Sequence, residues 1–327
     1  MAGLDIPAPR GTGVAFVTGA GGFLGGATAA AFILAGWRVA AFGPTGHFAE
    51  DHPDVAAPDV WIDGPVATKG LERAVREIGD PPEVVFHAAG GASVAASVAD
   101  PERDFERTVG SLGQTLTFLV SDAPAARLIY PSSAAVYGAG SAGPILETAK
   151  LEPISPYGRH KSMAEALIGE VNGQFGLDAI IIRFFSIYGP WLRKQILWEL
   201  AGRLREAPET LELSGDGEEA RDFLFVDDAV RLIGQMAARP PARAPFEVNG
   251  GTGQAVTVRQ VAEGLRTALG VGTRIGFNGL VRAGDPRSLV ADTTLATTLG
   301  FTPAIDLDAG LERHATWLKG RSQGPRT

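Results

Sequence analysis

Short apolar runs alternate with helical segments through the first 185 residues of this 327-residue chain. The runs have the length of β-strands, and this alternation is typical of βαβ units around a parallel sheet. We therefore predict an α/β fold with a doubly wound parallel sheet. The predicted strands cover 14–17, 38–42, 60–62, 84–88, 128–130 and 179–182, and the predicted helices cover 23–35, 68–78, 102–119 and 157–174.

A glycine-rich stretch, "VTGAGGFLGG", separates the first predicted strand from the first predicted helix. Gly19, Gly22 and Gly25 permit a tight turn, a close approach of backbone to a pyrophosphate, and close packing of helix on strand. Phe23 and Leu24 then begin the helix, whose N-terminus faces the anion. A merely tight turn is the alternative, but the strand–turn–helix context predicts a dinucleotide-binding site of the Rossmann type.

The position that selects between NAD and NADP is unusual. A dinucleotide fingerprint expects an acidic residue at the end of the second strand, where it binds the ribose hydroxyls, but this chain has Gly43. No arginine follows to bind a 2′-phosphate, and His47 is the one candidate cation, so we expect NAD. Asp63 and Gly64, at the end of the third strand, are predicted to meet the adenine, although Asp63 could instead cap a loop.

After Arg183 the sequence pattern changes to loops rich in glycine and proline and to shorter predicted helices. A strand–helix pattern returns at 221–236. We predict a dinucleotide-binding domain over 13–187, with a return segment at 222–250. A smaller, interleaved C-terminal substrate domain is predicted over 188–221 and 251–318.

Tyr157 and Lys161 lie four residues apart in "SPYGRHK", where Ser155 and Pro156 signal the start of a helix. On a helix the two side chains share one face. Lowering a phenol pKa from about 10 to about 7 requires roughly 4 kcal/mol. An ammonium about 4 Å away contributes a similar Coulomb energy at an effective dielectric of about 20. The pair could therefore form a catalytic base, or else consist of a packed tyrosine and a solvated lysine.

Composition excludes several classes of function. The net charge is −8, the basic residues form no runs, and the chain contains no cysteine, so we expect neither nucleic acid nor membrane as a partner. His87 has no potential metal ligand at the usual spacing, and we predict no metal site. No apolar stretch is long enough to span a bilayer, and we expect a cytoplasmic protein.

Several motifs, taken together and in this order, carry a resemblance to a known family. The chain resembles the extended short-chain dehydrogenase/reductase family, and within it the nucleotide-sugar epimerases of the UDP-glucose 4-epimerase type. The motifs are "TGAGGFLGG", "VVFHAAG" (84–90), "PSSAAVYG" (131–138), "SPYGRHK" (155–161), "RFFSIYGP" (183–190), "RDFLFVDDA" (221–229), "FEVNGGTGQAVTV" (246–258) and "VRAGDPRSLVAD" (281–292).

The resemblance implies roles for individual residues. Tyr157 resembles the catalytic base or acid, Lys161 the residue that lowers its pKa and holds the nicotinamide ribose, and Ser133 the hydroxyl that binds the reacting sugar oxygen. The residues that would line the cofactor, besides the glycine loop, Asp63 and Gly64, are His87, Ala88, Ala89, Tyr157, Lys161 and Phe184.

For the substrate, Arg221 and Arg282 resemble a pair of arginines that bind the pyrophosphate, a task that suits bidentate guanidinium groups. Asp285 resembles the acid that binds the nucleoside ribose. Ser186 stands where the family has an asparagine that helps to hold the pyrophosphate. Arg193, with its neighbour Lys194, could face a sugar carboxylate, or could be a solvated charge at a helix start.

The residues after Ser133 bear on the reaction. Family members that dehydrate the sugar carry an Asp-Glu pair there, and those that decarboxylate glucuronate carry a glutamate, whereas this chain has Ala134 and Ala135. The resemblance therefore implies 4-epimerisation, with oxidation at sugar C4 by bound NAD and hydride return to the opposite face.

Four departures from the family pattern keep other reactions open: Gly43, Gly110, Ser186 and Phe225. A 4-keto-sugar reductase or dehydrogenase that takes NADPH would use the same Ser133, Tyr157 and Lys161, and the missing ribose acid favours it. A non-catalytic sensor of dinucleotides is a third possibility. By analogy, the helices at 102–119 and 157–174 imply a homodimer joined through a four-helix bundle.

Overall fold

The computed structural model describes residues 4, 6–46, 48–140, 143–206, 209–240, 246–280 and 286–320. The strands are β1 (Val14–Thr18), β2 (Arg38–Phe42), β3 (Val60–Ile62), β4 (Val84–His87), β5 (Arg127–Ser133), β6 (Ala179–Phe184), β7 (Ser186–Tyr188), β8 (Thr210–Leu213), β9 (Ala220–Arg221), β10 (Phe223–Phe225), β11 (Phe246–Gly250), β12 (Val256–Thr257), β13 (Arg274–Phe277) and β14 (Ser288–Leu289).

The helices are α1 (Phe23–Leu34), α2 (Phe48–Asp51), α3 (Thr68–Ile78), α4 (Val94–Ala99), α5 (Pro101–Phe105), α6 (Ser111–Ser121), α7 (Pro156–Phe175), α8 (Gln195–Glu206), α9 (Val226–Ala237), α10 (Val258–Leu269), α11 (Thr294–Thr298) and α12 (Leu307–Gly320). A π-helical turn, Glu106–Gly110, joins α5 to α6. Among these helices none is both long enough and apolar enough to cross a bilayer.

The chain divides into two compact units. Unit 1 comprises Met1–Gly138, Leu151–Phe184 and Ala229–Val248, and unit 2 comprises Ala139–Lys150, Phe185–Asp228 and Asn249–Thr327. A seven-stranded sheet organises unit 1, in the order β11-β6-β5-β4-β1-β2-β3. The strand pairs from β6 to β3 are parallel.

Burial on both faces explains why these strands read as continuous apolar runs. Every residue of β1 and of β6 is buried, and the core includes Phe16, Phe118 and Leu128, none of which is exposed. The strand order reverses beside β1, where Thr18 pairs with His87 of β4. In doubly wound sheets, ligands bind outside the carboxyl ends of the strands at such a reversal.

Helix α7 shows how the sequence fixes a helix that carries site residues. Ser155 accepts a hydrogen bond from the backbone N–H of Gly158, Pro156 occupies the first turn, and Gly176 ends the helix in a left-handed conformation. The helix predicted at 102–119 is present as α5, the π-helical turn and α6, which follow one another without a break, and its hydrogen-bond pattern changes only within Glu106–Gly110.

Unit 2 contains three small sheets, ordered β10-β7, β12-β9-β14 and β13-β8. Asp222 is its main polar centre: the side chain is fully buried and accepts hydrogen bonds from the backbone N–H groups of Thr252, Gly253 and Ala291. These bonds tie the loop after β11 to the segment after β14.

Candidate active site

The glycine turn between β1 and α1 is shaped to approach other backbone closely. Gly19 has φ of 67°, and a Cβ there would lie 2.7 Å from the carbonyl oxygen of Ala88. A Cβ on Gly25 would lie 2.2 Å from the carbonyl oxygen of Gly19. Helix α1 has no side-chain cap and no acidic residue in its first turn, so its first N–H groups can bind an anion. This cradle fits the pyrophosphate of a dinucleotide.

Phe23 and Leu24 begin α1 beside this cradle and are half-buried. Ala88 and Ala89 directly follow β4, and the backbone N–H of Ala89 donates to the hydroxyl of Thr18 at 3.0 Å. The structure thus brings the predicted cofactor residues of β1, α1 and β4 together at one edge of the sheet.

His87 holds this edge in place from within the core. Its Nδ1 lies 3.1 Å from the hydroxyl of Thr18 and 3.0 Å from that of Thr115, and its Nε2 lies 3.2 Å from that of Ser111. Burial, and then the charge of Lys161, lower the pKa of His87 to about 3. The imidazole is therefore neutral, and no cluster of three or more metal-binding side chains occurs in the described ranges.

The ends of β2 and β3 lie side by side. Gly43 has φ of 118°, its N–H donates to the carbonyl of Ile62 at 3.0 Å, and its carbonyl accepts from the Trp61 indole at 2.9 Å. Asp63 is exposed and Gly64 half-buried. His47 lies outside the described residues.

Ser133, Tyr157 and Lys161 come together at the end of β5. The side chains of Ser133 and Tyr157 are hydrogen-bonded, and the Tyr157 N–H donates to the hydroxyl of Ser97 at 3.0 Å. Lys161 is buried, and its Nζ lies 5.9 Å from the centre of the Tyr157 ring. Phe184 pairs with Ser133 in the sheet, so four of the predicted site residues are neighbours.

The pKa of Tyr157 is raised in the structure, whereas the sequence led us to expect that Lys161 lowers it. Burial raises the pKa of Tyr157, whereas the hydrogen bond with Ser133 lowers it and the charge of Asp104 raises it. Burial also lowers the pKa of Lys161 to about 8, although the charges of Glu165 and Asp104 oppose that change. In this structure, burial outweighs the hydrogen bond with Ser133, and the pKa of Tyr157 is raised above its ordinary value.

A buried hydrogen-bond network that includes Ser132, the residue before Ser133, was not predicted from the sequence. Arg183 donates to both carboxylate oxygens of Glu165, at 3.1, 3.1 and 2.8 Å, and to the hydroxyl of Tyr137 at 3.3 Å. The hydroxyl of Ser132 also donates to Glu165. The spacing in the sequence could have indicated this network, because Glu165 follows Lys161 by one helical turn and Ser132 directly precedes Ser133.

Among the predicted substrate residues that the structure describes, Ser133 and Tyr157 lie in unit 1, and Ser186, Arg193 and Arg221 lie in unit 2. The N–H of Ser186 donates to the carbonyl of Asp222 at 2.9 Å. Arg221 donates to the carbonyls of Ala220 and Pro286, both at 2.8 Å. Arg282 and Asp285 lie outside the described residues.

Arg193 lies in a loop with unusual backbone. Trp191 and Gln195 have φ of 74° and 68°, a region that few residues other than glycine adopt. The Arg193 guanidinium lies 3.4 Å from the Trp191 carbonyl and 5.8 Å from the centre of the Trp317 ring.

Comparison with known proteins identifies relatives of similar sequence. A UDP-glucose 4-epimerase from Mycolicibacterium smegmatis is 31% identical over 256 residues, 74% of this chain and 78% of the relative. A UDP-glucuronate 4-epimerase from Thermodesulfobacterium geofontis is 30% identical over 240 residues, 72% of each protein.

Among solved structures, the UDP-glucose 4-epimerase of Thermotoga maritima with UDP-glucose is 26% identical and superimposes with a TM-score of 0.84, over 94% of this chain and 99% of that one. Residues 15–249 match the model of the NAD-dependent epimerase/dehydratase family. The resemblance noted from the motifs is thus confirmed, and the chain belongs to the NAD-dependent epimerase/dehydratase family, within the extended short-chain dehydrogenases/reductases.

Proposed function

We propose that this protein is a nucleotide-sugar 4-epimerase that uses bound NAD. The observation that carries the proposal is the hydrogen-bonded pair of Ser133 and Tyr157, at the end of a strand in the same parallel sheet as the glycine cradle. Ser133 is followed by Ala134 and Ala135. Without a carboxylate at these two positions, the elimination of water or of CO₂ has no acid or base at the place where the family keeps one. Relatives named as UDP-glucose and UDP-glucuronate 4-epimerases support the same reaction.

The proposed mechanism needs one proton acceptor at the sugar C4 hydroxyl. Tyr157 accepts that proton as a phenolate, a form that the charge of Lys161 must favour against the burial that raises the pKa of Tyr157. The Ser133 hydroxyl holds the same sugar oxygen in place. The chemistry that NAD supplies when bound is the acceptance and return of one hydride at C4. Tyr157 then gives its proton back to the sugar oxygen after the sugar has presented its other face, so no group leaves.

Lys161 has two tasks in this mechanism. Its charge favours the phenolate of Tyr157, and its hydrogen bond to the carbonyl of Pro131, at 2.8 Å, fixes the position of that charge. With a pKa near 8, the ammonium is mostly charged at neutral pH. We therefore expect activity to fall on the alkaline side as Lys161 loses its proton.

A second candidate function rests on Gly43. Without an acid at this position the ribose hydroxyls lose the group that disfavours a 2′-phosphate, which supports an NADPH-dependent reductase of 4-keto-sugars with the same Ser133, Tyr157 and Lys161.

The first test is the cofactor content of the purified protein and its turnover on UDP-glucose, UDP-glucuronate and their N-acetylated analogues. An epimerase should retain NAD and convert one of these sugars without added cofactor. An empty protein that binds NADPH more tightly than NADH would overturn the epimerase and favour the reductase.

Tyr157→Phe should reduce turnover by roughly 10²–10⁴-fold, the range of general acid–base catalysis, and leave NAD affinity nearly unchanged. Tyr188→Phe is the matched control, because it removes a buried tyrosine hydroxyl of unit 2 that donates to the carbonyl of Leu307 at 3.3 Å. Equal turnover in the wild type and Tyr157→Phe would exclude the proposed role.

We also propose a homodimer. The support is a group of large apolar side chains exposed on α4, α5 and α7. They are Val94 (46% exposed), Val98 (63%), Phe105 (39%) and Met163 (48%). Light scattering should give twice the mass of the 34.1 kDa chain, and Met163→Glu should shift it towards the monomer, whereas a monomeric wild type would refute the dimer.

A further inference from the structure

The ammonium of Lys161 has an unusual set of neighbours. Its Nζ makes one hydrogen bond within the described part of the chain, to the carbonyl of Pro131 at 2.8 Å, and only 5% of the residue is exposed. The nearest aromatic face is that of Tyr130, whose ring centre lies 4.6 Å from Nζ, closer than that of Tyr157 at 5.9 Å. This position is well inside the range of a cation–π contact.

The Tyr130 ring is held rigidly in this position. Tyr130 lies in β5, pairs with Ile181 of β6, and is 1% exposed. The ring also stacks on His87, with ring centres 6.3 Å apart and planes inclined by 21°. Because hydrogen bonds hold His87 to Thr18 and Thr115, the aromatic face cannot easily turn away.

The hydroxyl of Tyr130 has no hydrogen-bond partner among the described residues. It therefore gives the side chain no polar anchor, and the contact with Lys161 depends on the ring alone. A phenylalanine at this position would present the same face to the ammonium.

We propose that Tyr130 is a positioning residue for the reaction: its ring face, together with the Pro131 carbonyl, holds the Lys161 side chain charged and directed at Tyr157. The kinetic consequences of this role rest on the function proposed above, but the contact itself does not.

The charged and titratable groups around Lys161 come from three directions. Glu165 and Tyr157 lie on its own helix, Asp104 on α5, and His87 and Tyr130 on the sheet. Glu165 is already bound by the Arg183 guanidinium. The carboxylates act on Lys161 by charge at a distance, and the groups that contact its ammonium are the ring and the carbonyl.

Nuclear magnetic resonance of ¹³C-labelled lysine provides a direct test. The chain has five lysines, at positions 69, 150, 161, 194 and 319, so the Cε signals can be resolved, and Lys161→Arg identifies the one of interest. Its titration midpoint would be compared in wild type, Tyr130→Phe and Tyr130→Leu, with no substrate present.

Tyr130→Phe should leave the midpoint near that of the wild type. Tyr130→Leu should lower it by about 1.5 pH units, the value of a desolvated cation–π contact, because loss of the aromatic face disfavours the charged form of Lys161. Should Tyr130→Leu fail to fold, phenylalanines with one to three ring fluorines at position 130 keep the shape and weaken the face, and the midpoint should fall with each fluorine.

Equal midpoints in Tyr130→Leu and wild type, or no trend along the fluorine series, would overturn the proposal. So would a shift in Tyr130→Phe as large as that in Tyr130→Leu, since the hydroxyl would then be the active group. In an active enzyme, the alkaline limb of the pH–kcat profile should move by the same amount as the midpoint. If no substrate is turned over, the epimerase proposal fails while the titration still decides the role of Tyr130.

Discussion

Glu165→Gln removes one negative charge from the network beneath the catalytic serine and leaves the shape of the side chain nearly unchanged. Arg183 and Glu165 are 4% and 6% exposed, so the substitution leaves a buried guanidinium without its main counter-charge. Burial lowers the pKa of Arg183, but the hydrogen bonds and charge of Glu165 more than offset this and raise that pKa above its ordinary value.

Breaking one partner of a buried ion pair costs about 3–5 kcal/mol. Glu247 lies 4.0 Å from the Arg183 guanidinium and is 42% exposed, so it can replace only a small part of the lost interaction. We therefore expect the free energy of unfolding to fall by about 3 kcal/mol, at the lower end of that range. Urea denaturation followed by circular dichroism measures this difference.

Two controls separate charge from packing. Glu77→Gln breaks a surface ion pair in which the Glu77 side chain is 41% exposed and the Arg73 side chain 59% exposed. It should lower the free energy of unfolding by less than about 0.5 kcal/mol. The double change Glu165→Leu with Arg183→Met should recover most of the lost stability, because both charges leave together. A cost below about 1 kcal/mol for Glu165→Gln would refute the reasoning.

Two further predictions concern binding and pH. Gly19→Ala would place a Cβ 2.7 Å from the carbonyl oxygen of Ala88, at a position where φ is 67°. The affinity for NAD, measured by calorimetry, should therefore fall roughly 10- to 100-fold. Gly113→Ala is the control and should leave this affinity unchanged, because its Cβ would meet nothing within 4 Å. Burial lowers the pKa of His52 and His314 to about 4 and that of His87 to about 3. Because the unfolded chain then binds more protons below pH 6.5, stability should fall from pH 6.5 towards pH 4, by up to about 1.4 kcal/mol per pH unit for each histidine. His314→Phe should flatten this fall in urea midpoints, and an unchanged slope would contradict the assignment.

The strands around the cofactor cradle can be predicted from sequence because parallel strands buried on both faces need uninterrupted apolar runs. The bounds of β2 and β3 agree with the predicted ranges 38–42 and 60–62. Strand β5 is longer than the predicted 128–130, since Pro131, Ser132 and Ser133 have weak strand propensity by themselves. They are extended because β6 pairs with them along one side, while pairing with β4 ends at Ile129.

The motifs predict that Ser133 and Tyr157 lie close together, but they do not predict the pKa values of the site residues or the buried contacts around them. The raised pKa of Tyr157 results from burial, which depends on elements far apart in the sequence. The bond between Arg183 and Glu165 spans 18 residues, and the contact of Lys161 with Tyr130 joins a helix to a strand. No local pattern specifies such pairs, because each depends on how the elements pack.

The π-helical turn at Glu106–Gly110 has a consequence for evolutionary comparison. Such a turn corresponds to one residue inserted into an α-helix. An alignment with any relative whose helix is continuous here must open a one-residue gap inside this turn, and residue counts across the gap change by one. Gly110, one of the four departures from the family pattern, is the last residue of this turn, so the residue that is aligned with the family position depends on where the gap is placed.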